Sequence, residues 1–164
     1  MRRSRRNERT SASAGAPAAG RYPVMVGLHL ALFVSPLVEI AAFGRRPRRT
    51  ALWIGLLGAA AALRWWSIRS LGSAWNTRGA VPQELLVVTR GPYRWIRHPN
   101  YVAVALEFLA LPMAGGAWAS ALLLSGLDLL VLRQRVLEEE RRLFAEPRYR
   151  EVFAHRKRFV PGVW

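Results

Sequence analysis

"YPVMVGLHLALFVSPLVEIAAF", Tyr22–Phe43, is an apolar run of about 22 residues. At 1.5 Å per residue it is long enough to cross the ~30 Å hydrocarbon core of a bilayer. His29, Pro36 and Glu39 interrupt it. An ionisable group at that depth is costly unless it meets protein or water, so one face of this helix is predicted to turn toward the rest of the chain. The flanking sequence is therefore read as membrane-associated, not as the surface of a soluble core.

A second run of similar length, "TALWIGLLGAAAALRWWSIRS" (Thr50–Ser70), is rich in Ala and Gly, which allow close helix–helix approach in lipid. Trp65 and Trp66, beside Arg64 and Arg69, have the composition of an interfacial belt. A third apolar stretch, Tyr101–Leu132, is divided by Pro112 and by Gly115–Gly116 into two shorter helices. The expectation is an all-α integral membrane protein with about four transmembrane helices, over 22–43, 50–70, 100–113 and 117–135. Residues 22–164 then form one membrane domain, with a connector over 71–99 and a tail over 136–164. The connector holds a Trp75–Asn76 turn and a short strand-like run, "ELLVVT".

Composition agrees with segregated character. The chain has 164 residues, is 52% hydrophobic, and carries a formal charge of +15, with 25 Lys and Arg against 10 Asp and Glu. A nucleic-acid binder would be basic without such long apolar blocks, so nucleic acid is not an expected partner. There is no Cys, which excludes disulfides, thiolate metal sites and covalent catalysis by Cys; no metal site is expected. "MRRSRRNERT" is followed by a small-residue spacer and then by a block too long, and too acidic, for a signal peptide. Residues 1–21 are therefore read as a disordered basic arm. If four helices span, the arm, the connector and the tail share one face. Their Arg excess makes that face cytoplasmic and the chain a multi-pass protein of the cell membrane. "GRRPRRT", between the first two helices, dissents with four Arg on the other side.

"GPYRWIRHPNYVAVALE" (Gly91–Glu107) gathers polar chemistry at the start of the third apolar stretch. Pro99 is suited to the first position of a helix, where its missing N–H is no loss. His98 and Arg97 then lie at the positive end of that helix, beside unsatisfied backbone donors that suit an anion or a polar cofactor group. Glu107 lies about two turns further in, and Asp128 is similarly placed on the next helix. Each should face a pocket or a partner. Taken alone, each acid could equally be a packing hydrogen bond, and the Glu138–Glu140 run a solvated helix face. Together with His98 they surround one mouth of a helical bundle.

That stretch, the apolar hairpin after it, and then "RQRVLEEERRL", "YREV" and "RFVPG" resemble the isoprenylcysteine carboxyl methyltransferase family of integral-membrane methyltransferases. The likeness runs from about Trp65 to Gly162. Through "LHLALFVSPLVEIAAFGRRP" and "RWWSIRSLGSAWNTR" it extends to the small bacterial branch found beside polyketide synthases and thought to O-methylate alkylresorcinols and alkylpyrones. Relatives often have one more helix ahead of the stretch matching "RRNERT", and "LFAEPRY" is shorter than the usual family form.

The resemblance implies S-adenosylmethionine as cofactor, a lipophilic acceptor and, upstream, a polyketide synthase. It implies that His98, Pro99 and Tyr101 line the cofactor pocket, with Arg97 available to the cofactor carboxylate. Glu139 or Glu140 would hold a ribose hydroxyl or amine, and Tyr149 and Phe153 would close over the top. No Gly-x-Gly-x-x-Gly follows a strand, so a Rossmann cradle is not available. Methyl transfer is an in-line displacement that gains most from alignment. A phenolic acceptor, pKa ~10, needs a base that a carboxylate acceptor does not. His98 or Glu107 could supply it, which makes His98, Arg97 and Glu107 the candidate catalytic set. The acceptor is then the hydroxyl of an alkylated polyketide or a prenylcysteine-like carboxylate. Two other readings are a non-catalytic lipid- or partner-binding membrane protein and an NADPH-dependent membrane reductase, whose known chains share a similar His-Pro-x-Tyr ending but are much longer.

Overall fold

The computed structural model describes residues 22–72, 75 and 87–160. The predicted arm over 1–21, Asn76 and the first half of the strand-like run lie outside them, and the described part of that run, 87–89, is not a strand. Among the described residues five helices carry the fold: α1 Tyr22–Phe43, α2 Thr50–Leu71, α3 Pro99–Ala114, α4 Trp118–Leu143 and α5 Pro147–Phe153. A 3-10 turn over Gly91–Arg94 precedes α3.

The first two helices behave as solutes of hydrocarbon. Leu30, Phe33, Val34, Leu37 and Val38 on α1 and Leu52 and Ile54 on α2 are all exposed. The core helix of a soluble protein would be mostly buried, whereas only 17% and 11% of the most apolar parts of α1 and α2 are covered by protein. So broad an apolar surface is a liability in water and the natural state in lipid. Both helices are long and apolar enough to span. At 16 residues, α3 reaches about 24 Å, short of a ~30 Å core. At 26 residues α4 is long enough, but its apolar part ends at Leu132. It does not stop near residue 135 as the sequence predicts. It runs on to Leu143 and carries the whole Glu138–Glu140 run on regular helix, because nothing between Arg133 and Leu143 breaks the helix.

Small residues set the packing. Ala60 on α2 and Ala103 and Ala110 on α3 are fully buried, which lets the two backbones approach. Leu32, Val104, Phe108, Leu124 and Leu132 form the core between α1, α3 and α4. The buried side of α4 is a stripe of Ala121, Leu124, Asp128, Leu132, Val136 and Glu140, spaced three or four residues apart as a helix face requires. Pro112 does not end α3; it sits within the last turn, and the chain reverses at Gly115 and Gly116, where φ of +84° at Gly116 favours glycine. Gly91, at φ +61°, packs where a Cβ would overlap Ser70 on α2, so the turn before α3 is pressed onto the end of α2.

His29 and Glu39, the ionisable residues of α1, find partners. His29 Nδ1 lies 2.8 Å from the Met25 carbonyl, and its ring meets Phe108 edge-on at 5.2 Å. Glu39 reaches across to the start of α4, where its carboxylate accepts the N–H groups of Ala119 (3.2 Å) and Ser120 (2.7 Å). A helix begins with unsatisfied donors and a partial positive charge, and a carboxylate answers both. Glu39→Ala leaves those two N–H groups unpaired and should lower stability by about 1–2 kcal/mol, with Glu39→Gln recovering part of the loss. Thermal unfolding in detergent measures it, and an unchanged midpoint for Ala would show that this carboxylate does not cap α4.

Candidate active site

Glu140, the last member of the buried α4 stripe, is where the site is assembled. Three cationic or ionisable groups converge on its carboxylate: Arg97 Nη1 at 3.0 Å, His98 Nε2 at 3.1 Å and Arg158 Nη2 at 2.8 Å. These come from the entry to α3 and from the tail after α5, so one side chain ties three segments together. The backbone repeats the tie. Arg97 N–H donates to Lys157 carbonyl at 2.9 Å and His98 N–H to Arg158 carbonyl at 3.0 Å, so the tail runs beside the entry to α3. Burial alone would raise the Glu140 carboxyl above its ordinary 4.5, but the hydrogen bonds from His98 and Arg158, with the nearby Arg97 charge, outweigh it and hold the carboxyl at about 2.

His98 occupies the cap position immediately before α3, and Pro99 is the first helical residue, as predicted. Since Glu140 can only accept, His98 Nε2 carries a proton. In the neutral ring Nδ1 is then the acceptor. The imidazole stacks on Tyr101 at 5.4 Å and 28°. Tyr101 in turn donates to Glu139 at 2.5 Å and accepts from Arg135 Nε at 2.8 Å. An aromatic shell lies outside this layer. Arg97 sits over Phe144 at 5.1 Å, Phe144 meets Tyr149 edge-on at 5.3 Å, and Tyr149 stacks on Phe153 at 4.5 Å. Burial, then the Glu139 charge, push the Tyr149 phenol well up, so it is a neutral O–H at any working pH.

Seven of the sequence-predicted residues therefore meet at one end of the bundle, with Pro99 at the head of α3 beside them: Arg97, His98, Tyr101, Glu139, Glu140, Tyr149 and Phe153. Glu107 does not. Nine residues beyond His98, about 13 Å along α3, its Oε2 lies 2.6 Å from Arg64 Nη1 on α2. Of the two surroundings expected for it, a pocket or a partner, Glu107 has the partner, in an ion pair with Arg64. Asp128 is inward-facing as expected, and its Oδ2 has no hydrogen-bond partner among the described residues.

Sequence order alone marks no role for several members. Arg158 lies in "RFVPG", whose residue order gives it no task. Arg135 and Phe144 flank the Glu run with nothing in the spacing to mark them. Asn100 lies inside "RHPNY", and its buried Oδ1 is unpartnered, as is the buried Arg97 Nε. The mouth thus holds one spare donor and one spare acceptor within four residues.

Comparison with known proteins adds ancestry to this geometry. Residues 53–145 match the isoprenylcysteine carboxyl methyltransferase family. The chain belongs to that family. An uncharacterized protein of Bacillus subtilis (strain 168), YpbQ, is similar to it, 31% identical over 144 residues that cover 85% of this chain and 84% of that protein. Family membership and two helices able to cross a bilayer make it a membrane protein of a methyltransferase family. The matched region includes His98 and Glu140. Tyr149, Phe153 and Arg158, which complete the mouth, lie beyond it.

The Glu140 carboxyl titrates near 2 in the folded chain against 4.5 when free, so the unfolded chain takes up this proton first as pH falls. The stability it contributes should be full above about pH 5 and decline between pH 4.5 and 2. Glu140→Gln should flatten that part of the profile. Glu140→Ala, which strands Arg97 and His98 in a buried site, should lower stability by on the order of 3 kcal/mol at neutral pH. Unfolding midpoints of the three proteins against pH test this, and an equally steep acid limb in the Gln variant would assign it to another carboxyl.

Proposed function

We propose that this chain is an S-adenosylmethionine-dependent O-methyltransferase of a lipophilic acceptor. The observation that carries the reading is the spare pair in the buried mouth: Arg97 Nε lacks an acceptor and Asn100 Oδ1 lacks a donor. An amino-acid end, with its carboxylate and ammonium, supplies one of each. When bound, this cofactor supplies an electrophilic methyl group on a sulfonium.

The chain's own residues have separable tasks. Arg97 and Asn100 bind and orient the amino-acid end. Glu140 positions Arg97 and His98 through its ion pairs and is not itself free for a ribose hydroxyl. Glu139, bonded to Tyr101, is the carboxylate with more to offer a ligand. Tyr101, Phe144, Tyr149 and Phe153 line the mouth and exclude water, and aromatic faces favour a neighbouring cation. His98 Nδ1, the acceptor nitrogen of the ring, takes the proton from a hydroxyl acceptor, while a carboxylate acceptor needs no base. The Arg64–Glu107 pair and Asp128 place polar groups deeper in the bundle, within reach of the acceptor's head while its tail lies among the exposed apolar faces.

In this reading α3 and the apolar part of α4 join α1 and α2 in the membrane, giving a multi-pass bundle whose His98 end faces the cytoplasm, where the Arg excess lies. A hydroxylated alkyl polyketide fits such a lateral entry, and a polyketide synthase would then act upstream.

Retention of radiolabelled S-adenosylmethionine by the purified protein in detergent tests the reading. Wild-type protein should retain it, and Arg97→Ala and Asn100→Ala should each weaken binding about tenfold, the worth of one charge-assisted hydrogen bond. Label transfer to alkylresorcinols, alkylpyrones or prenylcysteines should follow in membranes. Protein that folds but retains no label would be a lipid- or partner-binding member of the family. As an ion-pair residue remote from the mouth, Glu107→Gln should leave cofactor affinity unchanged, and a tenfold loss would return it to the site.

A further inference from the structure

The end of the bundle remote from His98 carries a second concave feature. Where α1 passes into α2 and α3 into α4, a cavity of about 450 Å³ is lined by Phe43, Arg45, Arg46, Arg48 and Trp118, together with glycines of the two turns. Its charge is unbalanced. Arg45 Nε approaches Glu39 Oε1 to 3.4 Å without forming a hydrogen bond, and its guanidinium lies over Trp118 at 4.9 Å. Glu39, however, is already engaged by the first N–H groups of α4. Arg46 and Arg48 have no ion pair or hydrogen bond among the described residues. Three arginines thus line this space, and Glu39, the carboxylate beside it, is already committed.

The cavity is also preformed. A Cβ on Gly116 would lie 2.7 Å from the Arg46 carbonyl oxygen and 3.0 Å from Pro47 Cα, so the α3–α4 turn is packed onto the backbone that carries the arginines. Phe43 is 70% exposed and Trp118 48%, at the same level as the cavity. Large aromatic side chains exposed at the end of a lipid-facing helix lie where headgroups begin. Arginine's forked donors match phosphate oxygens, and a basic pocket between helices at a membrane surface is suited to an anionic headgroup.

We propose that this cavity binds the phosphate of an anionic membrane lipid, with Arg46 and Arg48 on the phosphate oxygens and Trp118 and Phe43 against the glycerol and upper acyl chains. The site gives a purpose to three of the four arginines of "GRRPRRT", which the charge bias of the rest of the chain would place on the wrong side of the membrane. It rests on α1 and α2 crossing the bilayer and is independent of methyl transfer.

Native mass spectrometry of the full-length protein, purified in neutral detergent and offered equal phosphatidylglycerol and phosphatidylcholine, tests it. Wild-type protein should retain phosphatidylglycerol in preference, and the Arg46→Ala, Arg48→Ala double variant should lose that preference by about fivefold per arginine. The double Lys variant should keep most of it, and all three should retain the same unfolding midpoint without lipid, since these side chains have no protein partner to lose. Equal retention of the two lipids, or an undiminished preference in the Ala variant, overturns the proposal. Displacement of phosphatidylglycerol by inorganic phosphate would reveal a free-anion site and overturn the headgroup assignment. Because this assay contains no S-adenosylmethionine, failure of the methyltransferase reading leaves its outcome unaffected.

Discussion

A single carboxylate, Glu140, sets the geometry of the mouth. It lies at the end of a buried helical stripe and would be costly there by itself, so it draws in Arg97, His98 and Arg158 as compensation. Those three residues bring with them the entry to α3 and the C-terminal tail. The consequence is positional: His98 cannot rotate away from its stack on Tyr101 without giving up a charge-assisted bond. Arg97 likewise is held with one nitrogen satisfied and another left to offer. The donors and acceptors of the mouth are thereby held in fixed orientation.

The same rule operates at the opposite end with a different outcome. Glu39, within an apolar helix, resolves its own cost by capping α4, and this joins α1 to α4. Glu107 resolves it with Arg64, joining α3 to α2. Each acid in the apolar helices thus carries a tertiary connection or stands beside one. Asp128 is the member whose Oδ2 remains open among the described residues. Helices in lipid gain little from apolar contact with one another, so such polar connections and the small-residue seams of Ala60, Ala103 and Ala110 decide which faces meet.

Much of this was legible from residue order. The apolar runs, their lengths and the Pro99 helix start follow from local rules, and α1 and α2 fall within a residue of their expected bounds. The polar cluster around His98 was also legible, because cationic residues at the doorstep of an apolar helix have few innocuous explanations. The reach of α4 was not, since its charged final turns look locally like a solvated tail and become partly buried only when the tail folds over them. Glu107 and Asn100 show the same limit in opposite directions. Burial of an acid advertises function in one dimension, yet Arg64, forty-three residues away in sequence, accounts for Glu107. Asn100 is unremarkable in sequence, and only its burial without a partner draws notice.

The sequence by itself determined the class of protein: an all-helical, membrane-associated chain whose polar chemistry concentrates before α3 and at the end of α4. Periodicity, apolar length and motif spacing are properties of neighbouring residues, and they need no partner to be read. Only the tertiary structure decided which acid meets which cation. That choice depends on helix register and on the return of the tail to the entry of α3, where Arg158 and Glu140 come together. Such pairings are long-range and electrostatic, and a carboxylate three residues to either side would look the same in one dimension. The helix face that each acid occupies in the packed bundle makes the distinction.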